Sequence, residues 1–179
     1  MVGVFLAKGF EEVEALTVVD ILRRGGVDVE TVSISKDKEV AGTHKINVQA
    51  DTTIDAFDFD SCTMIVLPGG MPGTNNLNQC QKLREQIKAF DEAEKYVAAI
   101  CAAPLVLGDL GLLEGKKCTI YPGMEDRLIG GKPKKDSVVQ DGNIITSRGP
   151  GKAMTFALYL LETVKGKEVR DRIERNLVI

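Results

Sequence analysis

Histidine is almost missing from this chain of 179 residues: His44 is the only one. The four cysteines, Cys62, Cys80, Cys101 and Cys118, include no C-x-x-C pair. Together these scarcities argue against a zinc site built from Cys and His and against a dense disulfide framework; no metal is expected. Reduced cysteines point to a cytoplasmic protein. Long apolar runs are missing too. None approaches membrane-spanning length, and Met1 to Lys8 lacks the basic start and long apolar centre of a signal peptide. Neither charge sign dominates: 23 basic against 26 acidic residues leave a net charge of -3, which argues against nucleic acid or an anionic membrane as the main partner. There are no repeats, linkers or low-complexity segments. Phosphate-binding loops are absent as well. Gly69-Gly70-x-x-Gly73 has the wrong spacing for a dinucleotide fingerprint, and Gly149-Pro150-Gly151-Lys152 lacks the earlier glycine of a P-loop. No histidine follows Cys101, so a Cys-His dyad is not visible unless His44 reaches the sulfur. His44 reads as a surface or interface residue.

What is present is an alternation of strands and helices. Apolar residues make up 44% of the chain, enough for one domain over 1–179. Val2 to Ala7 is a continuous apolar run, the pattern of a buried strand. Glu11 to Arg24 carries Ala15, Val18, Val19 and Leu22 on one helical face, and Gly25-Gly26 stops it. Val27 to Ser35 is rich in β-branched residues, which completes a β-α-β unit and implies a parallel sheet. Further strands are expected within 46–50, 63–67, 96–100 and 118–120. Helices are expected over 83–94, from Pro104 to Leu110, over 152–164 and over 168–175, with a brief one within 124–129. Asp141-Gly142 signals a hairpin. The fold class is therefore α/β, a three-layer α/β/α sandwich with a mostly parallel central sheet. Sites in such sheets lie beyond the carboxyl ends of the strands, where Lys8 to Glu14, Pro68 to Gly73 and Cys101 all fall.

Cys101 closes an apolar strand and precedes a helix start at Pro104, a position on a sharp turn that resembles a nucleophile elbow. Backbone N–H groups and the positive end of a helix dipole there favour the thiolate. Glu11, Glu12 and Glu14 crowd the first turn of the first helix, where acids are favourable and usually solvated. Glu14 is the exception, since it shares a face with Val18 and Ile21 and should point inward. A buried carboxyl holds its proton unless paired, and can then exchange it with a thiolate or a substrate. Gly69 and Gly70 serve either as a plain tight turn or as N–H donors which, with Ala102, form an oxyanion hole.

Five segments together resemble the ThiJ/PfpI superfamily, in the branch of the parkinsonism-associated deglycase and its bacterial homologues. They are Leu6 to Glu14 (LAKGFEEVE), Val66 to Gly70 (VLPGG), Ala98 to Pro104 (AAICAAP), Thr146 to Gly151 (TSRGPG) and Gly166 to Val169 (GKEV). The resemblance implies a flavodoxin-like, class I glutamine amidotransferase-like sandwich, a homodimer and no cofactor. It implies Cys101 as nucleophile, Glu14 as its partner acid, and Gly70 and Ala102 as oxyanion donors. It also implies that Arg24 and the Arg148-Gly149-Pro150 turn lie near a dimer interface. Tyr121 stands where many relatives carry histidine, which shifts proton transfer onto Glu14; Ala102 stands where the protease-like branch has histidine, which argues against a peptidase. The implied activity is glyoxalase or deglycase chemistry on small aldehydes or glycated groups, for instance methylglyoxal to lactate. The alternative is an oxidative-stress sensor or chaperone whose Cys101 becomes a sulfinate.

Overall fold

Strands that are apolar on both faces cannot leave either face in water, and in the computed structural model, which describes residues 1–179, they form the centre of one sheet. The strands are β1 (Val2–Leu6), β2 (Val29–Ser33), β5 (Thr52–Thr53), β6 (Met64–Leu67), β7 (Tyr96–Ile100), β10 (Val138–Asp141) and β11 (Ile144–Ser147), in the order β10-β11-β7-β6-β1-β2-β5. All neighbours pair in parallel except the β10–β11 hairpin around Asp141-Gly142. Two small ribbons lie outside the sheet: β3 (Glu39–Ala41) with β4 (Asn47–Gln49), and β8 (Lys117–Cys118) with β9 (Lys132–Pro133).

The period-2 rule divides each central strand between two cores. Val2, Val4 and Leu6 of β1, Met64 and Val66 of β6, and Ala98 and Ile100 of β7 face one core with α1 (Glu12–Arg24), α5 (Ala153–Lys165) and α6 (Lys167–Asn176). Phe5, Ile65, Leu67, Val97 and Ala99 face the other with α2 (Gly73–Gln79), α3 (Gln81–Glu92) and α4 (Pro104–Asp109). The fold is the expected flavodoxin-like sandwich. α5 buries Phe156, Leu160 and Leu161 where α1 and α6 pack against it, but Met154 and Tyr159 are exposed, so it keeps a solvent face. No helix is long and apolar enough to cross a membrane.

Three expectations need correction. α2 was not foreseen: its sequence, GTNNLNQ, offers only Leu77 as a buried apolar anchor. Residues 118–120 form a strand only up to Cys118, held by the distant Lys132–Pro133. The brief helix in 124–129 is a single 3-10 turn over Glu125–Arg127.

Candidate active site

The loops after β1, β6 and β7 converge at the carboxyl edge of the sheet. β7 ends at Ile100, and Cys101 adopts φ +63°, the left-handed region that costs a non-glycine residue roughly 1–3 kcal/mol. Both its backbone groups are held. Its N–H donates to Ser147 O at 3.0 Å, and its carbonyl accepts from Tyr121 N–H at 2.9 Å. Two residues of turn follow, and Pro104 opens α4 at a position that needs no N–H. The conformation lifts the half-buried sulfur out of the strand, toward the N–H groups of Gly70 and Ala102.

Glu14 approaches from α1 with no exposed surface, on the face shared with Val18 and Ile21. Its Oε2 accepts from Gly69 N–H at 2.8 Å. The Cys101 thiol faces the carboxyl, and Oε1 is buried without a hydrogen-bond partner. Only glycine fits at 69: a Cβ there would stand 2.6 Å from Cys101 Cβ and 2.7 Å from Glu14 Oε2. Gly69 N–H is thus an anchor for the acid and is not free to stabilise an oxyanion. Gly70, at φ +88°, and Ala102 are the two donors that face the sulfur.

Burial pushes the Glu14 carboxyl up to about 7, against the opposing N–H of Gly69 and the Cys101 thiol. Burial likewise pushes the Cys101 thiol up to about 12, and the facing Glu14 carboxylate adds to it, while Ala102 and Gly70 N–H work the other way. The turn by itself therefore does not produce a thiolate, contrary to the expectation from the helix dipole. α4 is only six residues long and its field is weaker than the opposing charge of Glu14. The pair titrates as a unit, losing one proton near 7 and the second near 12. Between those values the pair holds one proton, carried by the Cys101 thiol in the major form and by Glu14 in the minor one. When it sits on Glu14, the bare Oε1 problem is removed, and the sulfur is a thiolate facing two N–H donors and a neutral acid.

The other first-turn glutamates do different work. Glu12 is 5% exposed and not solvated as expected: Oε1 accepts from His44 N–H at 2.7 Å and Ile46 N–H at 3.4 Å, and Oε2 meets His44 Nδ1 at 2.9 Å. Burial would raise this carboxyl, but the hydrogen bonds from His44 outweigh it and leave it lowered. Glu11 lies 3.5 Å from the same imidazole. His44 is raised, first by its bond to Glu12 and then by the charge of Glu11. Ligand-type atoms of Glu11, Glu12 and His44 fall within 4.8 Å of one another, a grouping that here ties the β3–β4 turn to α1. His44 is engaged there and is not the base of a dyad with Cys101.

Tyr121, Arg148 and Pro150 line one cleft of about 250 Å³ with Pro122, Gly149 and Lys152. The Tyr121 ring packs beside Gly149, and Arg148 Nη1 donates to Lys135 O at 3.2 Å. Arg24 is not among the residues lining it and pairs on the surface of α1 with Asp20 at 2.8 Å. Sequence reasoning missed the left-handed φ of Cys101 and the part played by the Tyr121 backbone, since neither has a side-chain signature.

Comparison with known proteins bears on the family and the fold. A family model described as the DJ-1/PfpI family matches residues 1–163. Protein DJ-1 homolog B of Arabidopsis thaliana is 40% identical over 97% of this chain, although the chain spans only 40% of that protein's length. Protein dj-1beta of Drosophila melanogaster is 35% identical over 98% of this chain and 95% of its own. Among solved structures, oxidized Toxoplasma gondii DJ-1 superposes with a TM-score of 0.94 at 35% identity, covering 99% of this chain and 97% of the other.

Proposed function

The chain belongs to the DJ-1/PfpI family, whose members are associated with the oxidative-stress response and with deglycase and glyoxalase activity, and from that premise we propose a cysteine-dependent, cofactor-free enzyme acting on small α-oxoaldehydes. The observation that carries the reading is the juxtaposition of the buried Glu14 carboxyl with the strained Cys101, whose sulfur faces the N–H groups of Gly70 and Ala102. The Cys101 thiolate adds to the aldehyde carbon of methylglyoxal, forming the S–C bond. The carbonyl electron pair moves to oxygen, which Gly70 and Ala102 N–H stabilise and the Glu14 proton neutralises. Glu14, now a carboxylate, removes the hydrogen from that carbon, giving an enediolate, and returns it to the adjacent carbon, while the proton on the first oxygen passes to the second oxygen and leaves a thioester carbonyl behind. The first carbon is oxidised and the second reduced, so no outside oxidant is needed. Water then cleaves the lactoyl thioester, releasing lactate and regenerating the thiol. No step needs a histidine or the Tyr121 side chain.

The test is a progress curve for D- and L-lactate formation from methylglyoxal. Wild type should form one enantiomer and Cys101→Ser none. Equal rates in the two proteins, or no lactate from wild type, would overturn the reading.

A second reading uses the same donors. Peroxide converts the Cys101 thiolate to a sulfenate and water, and a second peroxide converts that to a sulfinate and water. The Gly70 and Ala102 N–H groups and Glu14, which all act on the Cys101 sulfur, support this reading as partners for the new oxygens. In a peroxide titration read by mass spectrometry, this reading requires Cys101 to gain two oxygens before the other cysteines gain any.

A further inference from the structure

Buried hydroxyls usually have a partner that explains them. Thr146 lies on β11 with no exposed surface, and nothing in the chemistry above uses it. Its Oγ1 accepts from Thr119 N–H at 2.9 Å and donates to Val139 O at 3.4 Å. Thr119, 1% exposed, donates its own hydroxyl to Lys134 O at 2.8 Å. These bonds dock the segment after β8 against the end of the sheet, where β8 no longer pairs with anything beyond Cys118. Two residues on from Thr119, the N–H of Tyr121 meets the Cys101 carbonyl. The Cys101 N–H is held by Ser147, the residue after Thr146. One side chain therefore joins both segments that grip the nucleophile's backbone.

We infer that Thr146 is a positioning residue, which holds Cys101 in its left-handed conformation through Thr119 and the Tyr121 N–H. A strained φ persists only where its surroundings over-determine it. Of the two backbone bonds on Cys101, the one to Ser147 continues the β7–β11 ladder and would be kept in an ordinary extended residue. The bond from Tyr121 to the carbonyl bears on the turn itself. Without it the sulfur can swing away from Gly70 and Ala102 N–H, and the shared proton returns to sulfur. The Tyr121 side chain, 47% exposed, has no part in this; its backbone does.

The test uses Thr146→Val, which keeps the shape and removes the acceptor, against Thr146→Ser, which restores it. The readout is the pH dependence of iodoacetamide labelling at Cys101. Wild type and Thr146→Ser should label with a midpoint near 7. Thr146→Val should move toward the free-thiol value of about 8.5 or beyond. Its kcat on methylglyoxal should fall roughly 10- to 100-fold with little change in KM, the effect of a displaced reacting atom. Thr31→Val is the control: its hydroxyl is bonded to Asp51 at 2.7 Å on the far side of the sheet, so its loss weakens the fold without touching the elbow. If Thr146→Val does not fold, Thr119→Val, which loses only the bond to Lys134, should give a smaller upward movement. An unmoved midpoint in the folded variant, or an equal movement in Thr31→Val, overturns the inference. The kcat arm rests on the carbonyl reading and the labelling arm does not. Absence of lactate thus counts against that reading alone, while labelling still decides this one.

Discussion

At the scale of single residues, the buried Glu14 that the proposed chemistry uses is costly for folding. In the unfolded chain its carboxyl titrates near 4.5, and in the fold near 7. A raised folded value favours the fold where the group is protonated, so this stabilisation is complete below about 4.5 and lost as pH rises through about 7, to the extent of roughly 3 kcal/mol. Glu14→Gln should therefore raise the melting temperature at pH 8 and change it little at pH 4. The same variant should lose about 10²- to 10⁴-fold in carbonyl turnover, the usual contribution of an acid-base group. Unchanged turnover, or a variant less stable at pH 8, contradicts the buried proton carrier. Among the thiols, burial raises Cys62 and Cys118, and no carboxyl hydrogen-bonds either sulfur. Cys101 should accordingly label fastest above neutral pH. Labelling of Cys62 or Cys118 ahead of it would remove the shared-proton account. The inward face of Glu14 was legible from its spacing to Val18 and Ile21. The sign of the Cys101 shift was not, because it depends on a carboxylate 87 positions away in sequence.

At the scale of elements, the apolar strands and the amphipathic α1 and α3 could be read from periodicity, since each carries its own burial pattern. Elements held by a remote partner could not. α2 has one apolar anchor, and β8 exists because Lys132–Pro133 lies beside it. The β3–β4 ribbon shows the same dependence. Its turn is fastened to α1 by Glu12, whose carboxyl takes the N–H groups of His44 and Ile46. Because Glu12 is lowered in the fold, that fastening is in force above the ordinary carboxylate range and fails as pH falls through the folded value. Glu12→Gln should speed amide hydrogen exchange at His44 and Ile46 while leaving β1 and β6 protected. Uniform exchange across the chain would mean that the ribbon is not an independent unit.

At the scale of the molecule, α1 presents a second surface besides its core face. Val13 and Leu16 are 45% and 38% exposed beside the Asp20–Arg24 pair, an apolar strip with a charged rim. We propose that a second copy covers it, with the Arg148-Gly149-Pro150 turn nearby. Light scattering at micromolar concentration should give the dimer mass, and Leu16→Arg the monomer mass; a monomeric wild type removes the proposal. The shared proton has a last consequence at this scale. Passing it from sulfur to carboxyl moves one negative charge between adjacent atoms and leaves the total charge of the site unaltered. Arming the nucleophile thus draws no counter-ion from solution. Ionic strength screens interactions between separated charges, and a neutral aldehyde meeting a site of constant charge offers none. Methylglyoxal turnover should stay level from dilute buffer to about 1 M salt, where the Debye length is only about 3 Å. A steep salt dependence would mean that the proton comes from a distant group, not from Glu14.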